Sequence, residues 1–92
     1  MPINIYHEND SKEVTWLCND IWDLPTQVSK LEKWLLKEGK ALPKGKYIAD
    51  IGFQTRKDAN GGGSVITSDM MRIMSEIDMD LFLSEYPNTN VD

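Results

Sequence analysis

The sequence predicts an α+β fold: two N-terminal helices and one short C-terminal helix packed on a small, mostly antiparallel sheet. Three observations lead there. Apolar residues recur at spacings of three and four over 14–22, 28–35 and 70–77, the period of an amphipathic helix. They alternate over 47–54 and 79–86, the period of a strand. Turn formers, Pro43-Lys44-Gly45 and Asn60-Gly61-Gly62-Gly63, stand between the two kinds of segment. The expected order is β-α-α-β-β-α-β in one domain over residues 1–87, with 88–92 a polar tail.

Each element has its own warrant. Ile3, Ile5 and His7 alternate with Asn4 and Tyr6, an edge strand over 2–7. Asp10 with Glu13 three residues on reads as a capping-box variant. Val14, Leu17, Cys18, Ile21 and Trp22 then follow at helical spacing. A strand reading of 14–18, with Val14, Trp16 and Cys18 alternating, leaves Ile21 and Trp22 unexplained, so the helix is preferred. On that reading Trp22 faces the core and Trp16 does not. Leu24-Pro25 ends the first helix. Thr26 caps a second, running to about Glu38, with Val28, Leu31, Trp34 and Leu35 inward and Gly39 as its stop. Tyr47, Ala49, Ile51 and Phe53 form the core face of the next strand. The glycine-rich loop turns it into a short antiparallel return at Ser64-Val65-Ile66. Thr67 or Ser68 caps a helix with Met70, Ile73, Met74 and Ile77 inward, and Met79 to Tyr86 closes the domain as a strand.

Composition bounds the function. The 92 residues carry 15 acids against 10 bases, a net charge of -5, which lacks the basic footprint of a nucleic-acid-binding domain. Three Trp, three Tyr and two Phe are too many to leave solvated in a disordered chain. No apolar run approaches the ~18 residues needed to cross a bilayer. The N-terminus lacks the basic start and apolar stretch of a secretory signal. One cysteine, Cys18, forms no internal disulfide, so a reducing compartment, the cytoplasm, is expected. The charges are segregated: residues 1–29 have one base and five acids, 30–57 eight bases and three acids, and 58–92 one base and seven acids. Such blocks either make a two-signed surface that steers a charged partner or pack together and neutralise one another.

No catalytic constellation stands out. His7 is the only histidine, so His7 and Cys18 are the only nucleophilic pair available, and Cys18 sits on an apolar stripe where thiols are inert. One Cys and one His cannot supply a structural zinc site. The Asn60-to-Ser64 run lacks the lysine of a phosphate loop, and Asp58 before it would repel an anion. Asp78 and Asp80, two apart on a strand, lack the ligand order of a calcium loop. Neither metal nor cofactor is expected, and the protein is not expected to be an enzyme.

The closing strand is more informative. Met79, Leu81 and Leu83 form its core face; Asp80, Phe82, Ser84 and Tyr86 form the other, matched by Ile48, Asp50, Gly52 and Gln54 on the preceding long strand. That second face is either open, as an acid-and-aromatic protein-binding surface, or covered by the first helix. The candidate partner-binding residues are Asp20, Asp23, Asp50, Asp78, Asp80, Phe82 and Tyr86, with Lys30 to Lys46 turned away.

From Tyr47 to Pro87 the chain resembles an uncharacterised bacterial family of small α+β proteins. A strand, a glycine-rich turn, Ser-Val-Ile-Thr-Ser-Asp opening a helix, and a closing Asp-Met-Asp-Leu-Phe-Leu carry the resemblance. Some members lie beside polymorphic toxins in the manner of immunity proteins. The N-terminal half, with Trp16, Trp22 and Trp34, departs from that pattern, and no functional residue carries over. The resemblance implies a small acidic protein that binds and blocks a toxin. The expected function is thus a non-catalytic inhibitor of the immunity or antitoxin type, acting on a toxin with a basic active-site groove. The alternatives are a phage or mobile-element inhibitor of a host defence protein and a small structural or oligomerising accessory protein. Homodimerisation through strand edges stays open; nucleic acid and membrane are not expected partners.

Overall fold

The computed structural model describes residues 2–87; the expected polar tail at 88–92 lies outside the described residues. Among the described residues the fold is α+β, with a four-stranded mixed sheet, two α-helices and a 3₁₀ turn. In chain order the elements are β1 (Ile3–His7), β2 (Glu13–Leu17), α1 (Leu24–Lys37), the 3₁₀ turn (Gly39–Ala41), β3 (Tyr47–Gln54), α2 (Ser68–Ile77) and β4 (Met79–Tyr86). The sheet order is β2-β1-β3-β4. β1 pairs antiparallel with β2 and β3, whereas β4 runs parallel to β3.

The expected first helix is a strand. Val14, Thr15 and Trp16 are β-branched or aromatic and suit a pleated surface. Left-handed residues at Ser11 (φ 57°) and Cys18 (φ 56°) leave no room between them for a regular helix. Pairing with β1 instead satisfies the backbone, with Leu17 opposite Ile3 and a bulge between Ile5 and Tyr6. β1 therefore becomes an inner strand rather than an edge. Pro25 opens a helix instead of ending one. It stands in the first turn of α1, where its missing N–H costs nothing, and Asp23 rather than Thr26 is the N-cap.

The Ser64-to-Ile66 return strand is absent, and Val65 is exposed there. β3 is already paired with β1 on one edge and β4 on the other, so no edge is left to receive it. The sheet is accordingly mixed rather than nearly all antiparallel. The glycine run serves the long crossover: Gly61, Gly62 and Gly63 all have positive φ (86°, 74° and 120°). Thr67 caps α2 as expected, its hydroxyl accepting from Met70 N at 3.2 Å.

The core lies between one sheet face and the helices. Ile3, Ile5, Tyr47, Ala49, Ile51 and Met79 meet Val28, Leu31 and Leu35 of α1 and Met70, Ile73, Met74 and Ile77 of α2. Trp34 and Phe53 pack against this cluster; Trp16 and Trp22 do not belong to it. Trp22, expected in the core, stands outside because its helix does not exist. Gly39 follows α1 for reasons of space: a Cβ there would sit 2.8 Å from Trp34 Cζ3 and 2.9 Å from Leu35 Cδ2.

Two substitutions check this layering. Ile51→Ala empties a fully buried site between sheet and helices and is expected to lower the unfolding free energy by about 2–5 kcal/mol. Trp16→Ala, off the core, should cost far less. Urea titrations followed by circular dichroism measure both, and equal losses would place Trp16 in the core.

Candidate functional site

The sheet face away from the helices carries an ordered set of side chains. Strand register places Trp16, Asn4, Asp50 and Phe82 in one row across all four strands. The next row runs Glu13, Tyr6, Ile48 and Asp80. Beyond the first row, Gly52 adjoins Ser84 and Gln54 adjoins Tyr86. Side chains directly opposite on neighbouring strands stand about 4.5–5.5 Å apart at Cβ, so each row is a contiguous strip. These rows hold three carboxylates and several large aromatics, and no lysine or arginine.

Local contacts fix parts of this face. Ser84 Oγ donates to Asp50 Oδ1 at 2.7 Å, holding that carboxylate in the central row. Trp22 stands edge-on to Tyr86, ring centroids 5.8 Å apart at 89°, and closes the far end. Phe82 is 45% exposed and Tyr86 42%, whereas Ile48, inside the second row between Tyr6 and Asp80, is only 5% exposed. No described helix covers this face. The segment that would cover it as a helix, one of the two alternatives left open by the sequence, forms β2 and extends the face by one strand.

Four of the seven candidate residues, Asp50, Asp80, Phe82 and Tyr86, come together here. The other three stand elsewhere. Asp20 is exposed in the turn after β2. Asp23 is committed to capping: its carboxylate accepts from Thr26 N at 3.1 Å, and the hydrogen bonding from Thr26 holds it below the usual carboxylate range. Asp78 is not on β4 and does not share a strand side with Asp80. It ends α2 in the left-handed region (φ 64°), with Oδ2 3.7 Å from Lys46 Nζ. Trp16, Tyr6 and Glu13 join the face without having been expected there. The strand reading of 14–18 was the signal for Trp16 and the alternation of Asn4 with Tyr6 the signal for Tyr6, whereas Glu13 reaches the face through the register shift in the β1–β2 pairing.

Four of the eight lysines occupy the other layer. Lys30, Lys33 and Lys37 are exposed on α1 and Lys40 on the 3₁₀ turn, with the sheet between them and the acidic rows. Cys18 and His7 lie at opposite ends of β1: Cys18 follows Leu17, which pairs with Ile3, and His7 is four residues further, about 13 Å along a strand. Burial raises the Cys18 thiol above its ordinary range, with Lys30 opposing the shift, and His7 stacks on Tyr47 at 4.8 Å. Among the described residues, no group of three or more His, Cys, Asp or Glu side chains could hold a metal ion. None of the described helices is long and apolar enough to cross a membrane.

Gln27 anchors one end of the face from inside. Fully buried on α1, it donates through Nε2 to Ile21 O and Gly52 O, both at 2.7 Å. It thereby joins the Cys18–Trp22 turn to β3. No family model matches the chain, and no curated protein or solved structure matches it either.

Gln27→Leu removes the donor from two carbonyls and is expected to cost about 2–4 kcal/mol. The loss should come with increased solvent exposure of Trp22, read by its fluorescence in a variant lacking the other tryptophans. The Asp23 cap predicts a pH effect of known sign. A carboxylate depressed by folding stabilises the fold fully above its unfolded pKa of 3.8, and that contribution is lost as pH falls through the folded value. Asp23→Ala should flatten this part of the acid-unfolding profile and cost about 1 kcal/mol at neutral pH.

Proposed function

We propose that this protein is a non-catalytic inhibitor that binds a partner protein through the outer face of its sheet. In this reading it is an immunity or antitoxin-type protein of the bacterial cytoplasm that plugs the basic groove of a toxin. The observation that carries the proposal is the juxtaposition of Asp50, Asp80 and Glu13 with Trp16, Tyr6, Phe82 and Tyr86 on one base-free face. Aromatics on a rigid sheet supply contact area at low entropic cost, and carboxylates beside them suit a cationic groove. The resemblance expected from the sequence of residues 47–87, to a family some of whose members lie beside toxins, points the same way.

Charge would then set the association rate and the aromatics the lifetime of the complex. Exposed fields are screened beyond roughly 8–10 Å at physiological salt, so raising salt should slow association by about an order of magnitude. The first test is the gene's neighbourhood, where this reading expects a toxin gene; that gene is then co-expressed with this chain and binding is measured on the purified pair. The wild type should relieve growth arrest. Asp80→Ala and Phe82→Ala should each weaken binding by about 2 kcal/mol or more with little change in folding. If Lys33→Glu and Lys37→Glu abolish protection while the face variants protect normally, the helix layer is the binding surface and the proposal fails.

A further inference from the structure

The two edges of the sheet are built differently. β2 has five residues, a bulge in its pairing with β1, and left-handed residues Ser11 and Cys18 just beyond its ends. Shortness and bulging are features that keep an edge from recruiting another strand. β4 has neither. It is eight residues long, follows β3 in unbroken register, and contains no proline or lysine. Its Phe82 and Leu83 are 45% and 57% exposed. Tyr47 N donates to Asp78 O, which sets the phase of the parallel ladder. Asp80, Phe82, Ser84 and Tyr86 direct their backbone groups to β3, and Met79, Leu81, Leu83 and Glu85 direct theirs outward.

We propose that β4 pairs antiparallel with β4 of a second copy of this chain, about a two-fold axis at Phe82, making one eight-stranded sheet. An axis perpendicular to the sheet keeps both helix layers on one side, so opposed residues must be both odd or both even in number. Centring at Phe82 sets Leu81 opposite Leu83 of the second copy and Met79 opposite its Glu85. All four outward-facing residues then bond, giving about eight new backbone hydrogen bonds. On the outer face Phe82 meets its own mate at a non-hydrogen-bonded position, where side chains approach most closely, and Asp80 faces Ser84. No like charges are opposed.

The neighbouring registers are worse. Centring on Leu83 sets Leu81 against Glu85 and Met79 against Pro87, which has no N–H to give. Centring on Leu81 sets Asp80 against Phe82 and shortens the paired segment. A groove of about 530 Å³, lined by Ile66, Met71, Met74, Met79 and Leu81 together with Ser75, Asp78 and Asp80, runs beside β4. It lies next to the position that Leu83 of the second copy would take. Dimerisation leaves the outer faces of both copies open and does not depend on what they bind.

Sedimentation equilibrium of the full chain tests this. The expected mass is about 21 kDa, twice the 10.5 kDa of one chain. Association should strengthen with salt, which screens two chains of net charge -5. This is opposite to the salt effect on binding a basic partner, so the two readings fail separately. A 10.5 kDa species at every concentration and salt overturns the proposal. Leu83→Pro removes an outward N–H that the monomer does not use, and should give a folded monomer. Leu83→Lys, which keeps every backbone group, should do the same and decides the matter if the proline variant does not fold. A folded Leu83→Lys that remains dimeric overturns the proposal. In a Cys18→Ser background, Phe82→Cys should cross-link between copies on oxidation while Ser84→Cys should not, because only the two-fold position brings its mate within disulfide reach. The reverse pattern, or cross-linking by neither, overturns the register.

Discussion

Parallel strands cannot be joined by a tight turn, so the alignment of Met79–Tyr86 along Tyr47–Gln54 obliges the chain to travel the length of the sheet between them. That journey is made by the glycine-rich segment and α2, which returns the chain to the end where β3 began. The return is tied by two contacts: Tyr47 N donates to Asp78 O and Gly45 N to Ile77 O, both at 3.1 Å. Once β4 occupies one edge of β3 and β1 the other, the remaining chain has few choices. The Glu13–Leu17 segment must take the outer edge of β1, and α1 must lie beside α2 on the single apolar face.

Much of this was legible because the signals were unambiguous. α2 carries a threonine cap and four apolar residues at helical spacing, and β3 and β4 alternate over eight residues each. The two sides of each strand follow from that alternation, although Leu83, expected in the core, is 57% exposed. The segment 13–22 was not legible, because its apolar residues fit two periods at once. Helical spacing explained one more pair of residues than alternation did. The backbone decided otherwise, through two left-handed positions that carry no glycine to announce them. Strand direction was hidden for a different reason. A glycine-rich loop followed by Ser-Val-Ile looks like a hairpin unless one knows that both edges of β3 are taken, and that is a property of the whole sheet.

The site inherits both the success and the failure. Asp50, Asp80, Phe82 and Tyr86 share a face because period-2 alternation is a local rule, and the register with β3 preserves it. Asp20, Asp23 and Asp78 do not join them, because net charge along a chain says nothing about direction in space. Asp23 and Asp78 instead sit at helix termini, where the backbone offers a donor or a turn to a short polar side chain. Trp16 joins the aromatic half of the face only because 13–17 is a strand, a state its apolar spacing does not single out. Separation of sign emerges only in part: the outer sheet rows carry carboxylates and no base, while the helices mix Lys30, Lys33 and Lys37 with Glu32, Asp69 and Glu76.

Gln27 has a consequence for how the molecule opens. Its amide holds the Cys18–Trp22 turn from within, and Gln54 N donates to Trp22 O at 2.9 Å from the strand side. The same amide donates to Gly52 O, two residues earlier on β3. The turn, the end of β3 and the first turn of α1 thus form one unit that opens together, rather than three loose ends that fray independently. Its amide protons would exchange with solvent through one shared event, with similar opening free energies. Trp22, resting on Tyr86 at the surface, moves with that unit, so the geometry at this end of the exposed face is governed by a side chain that no partner can touch.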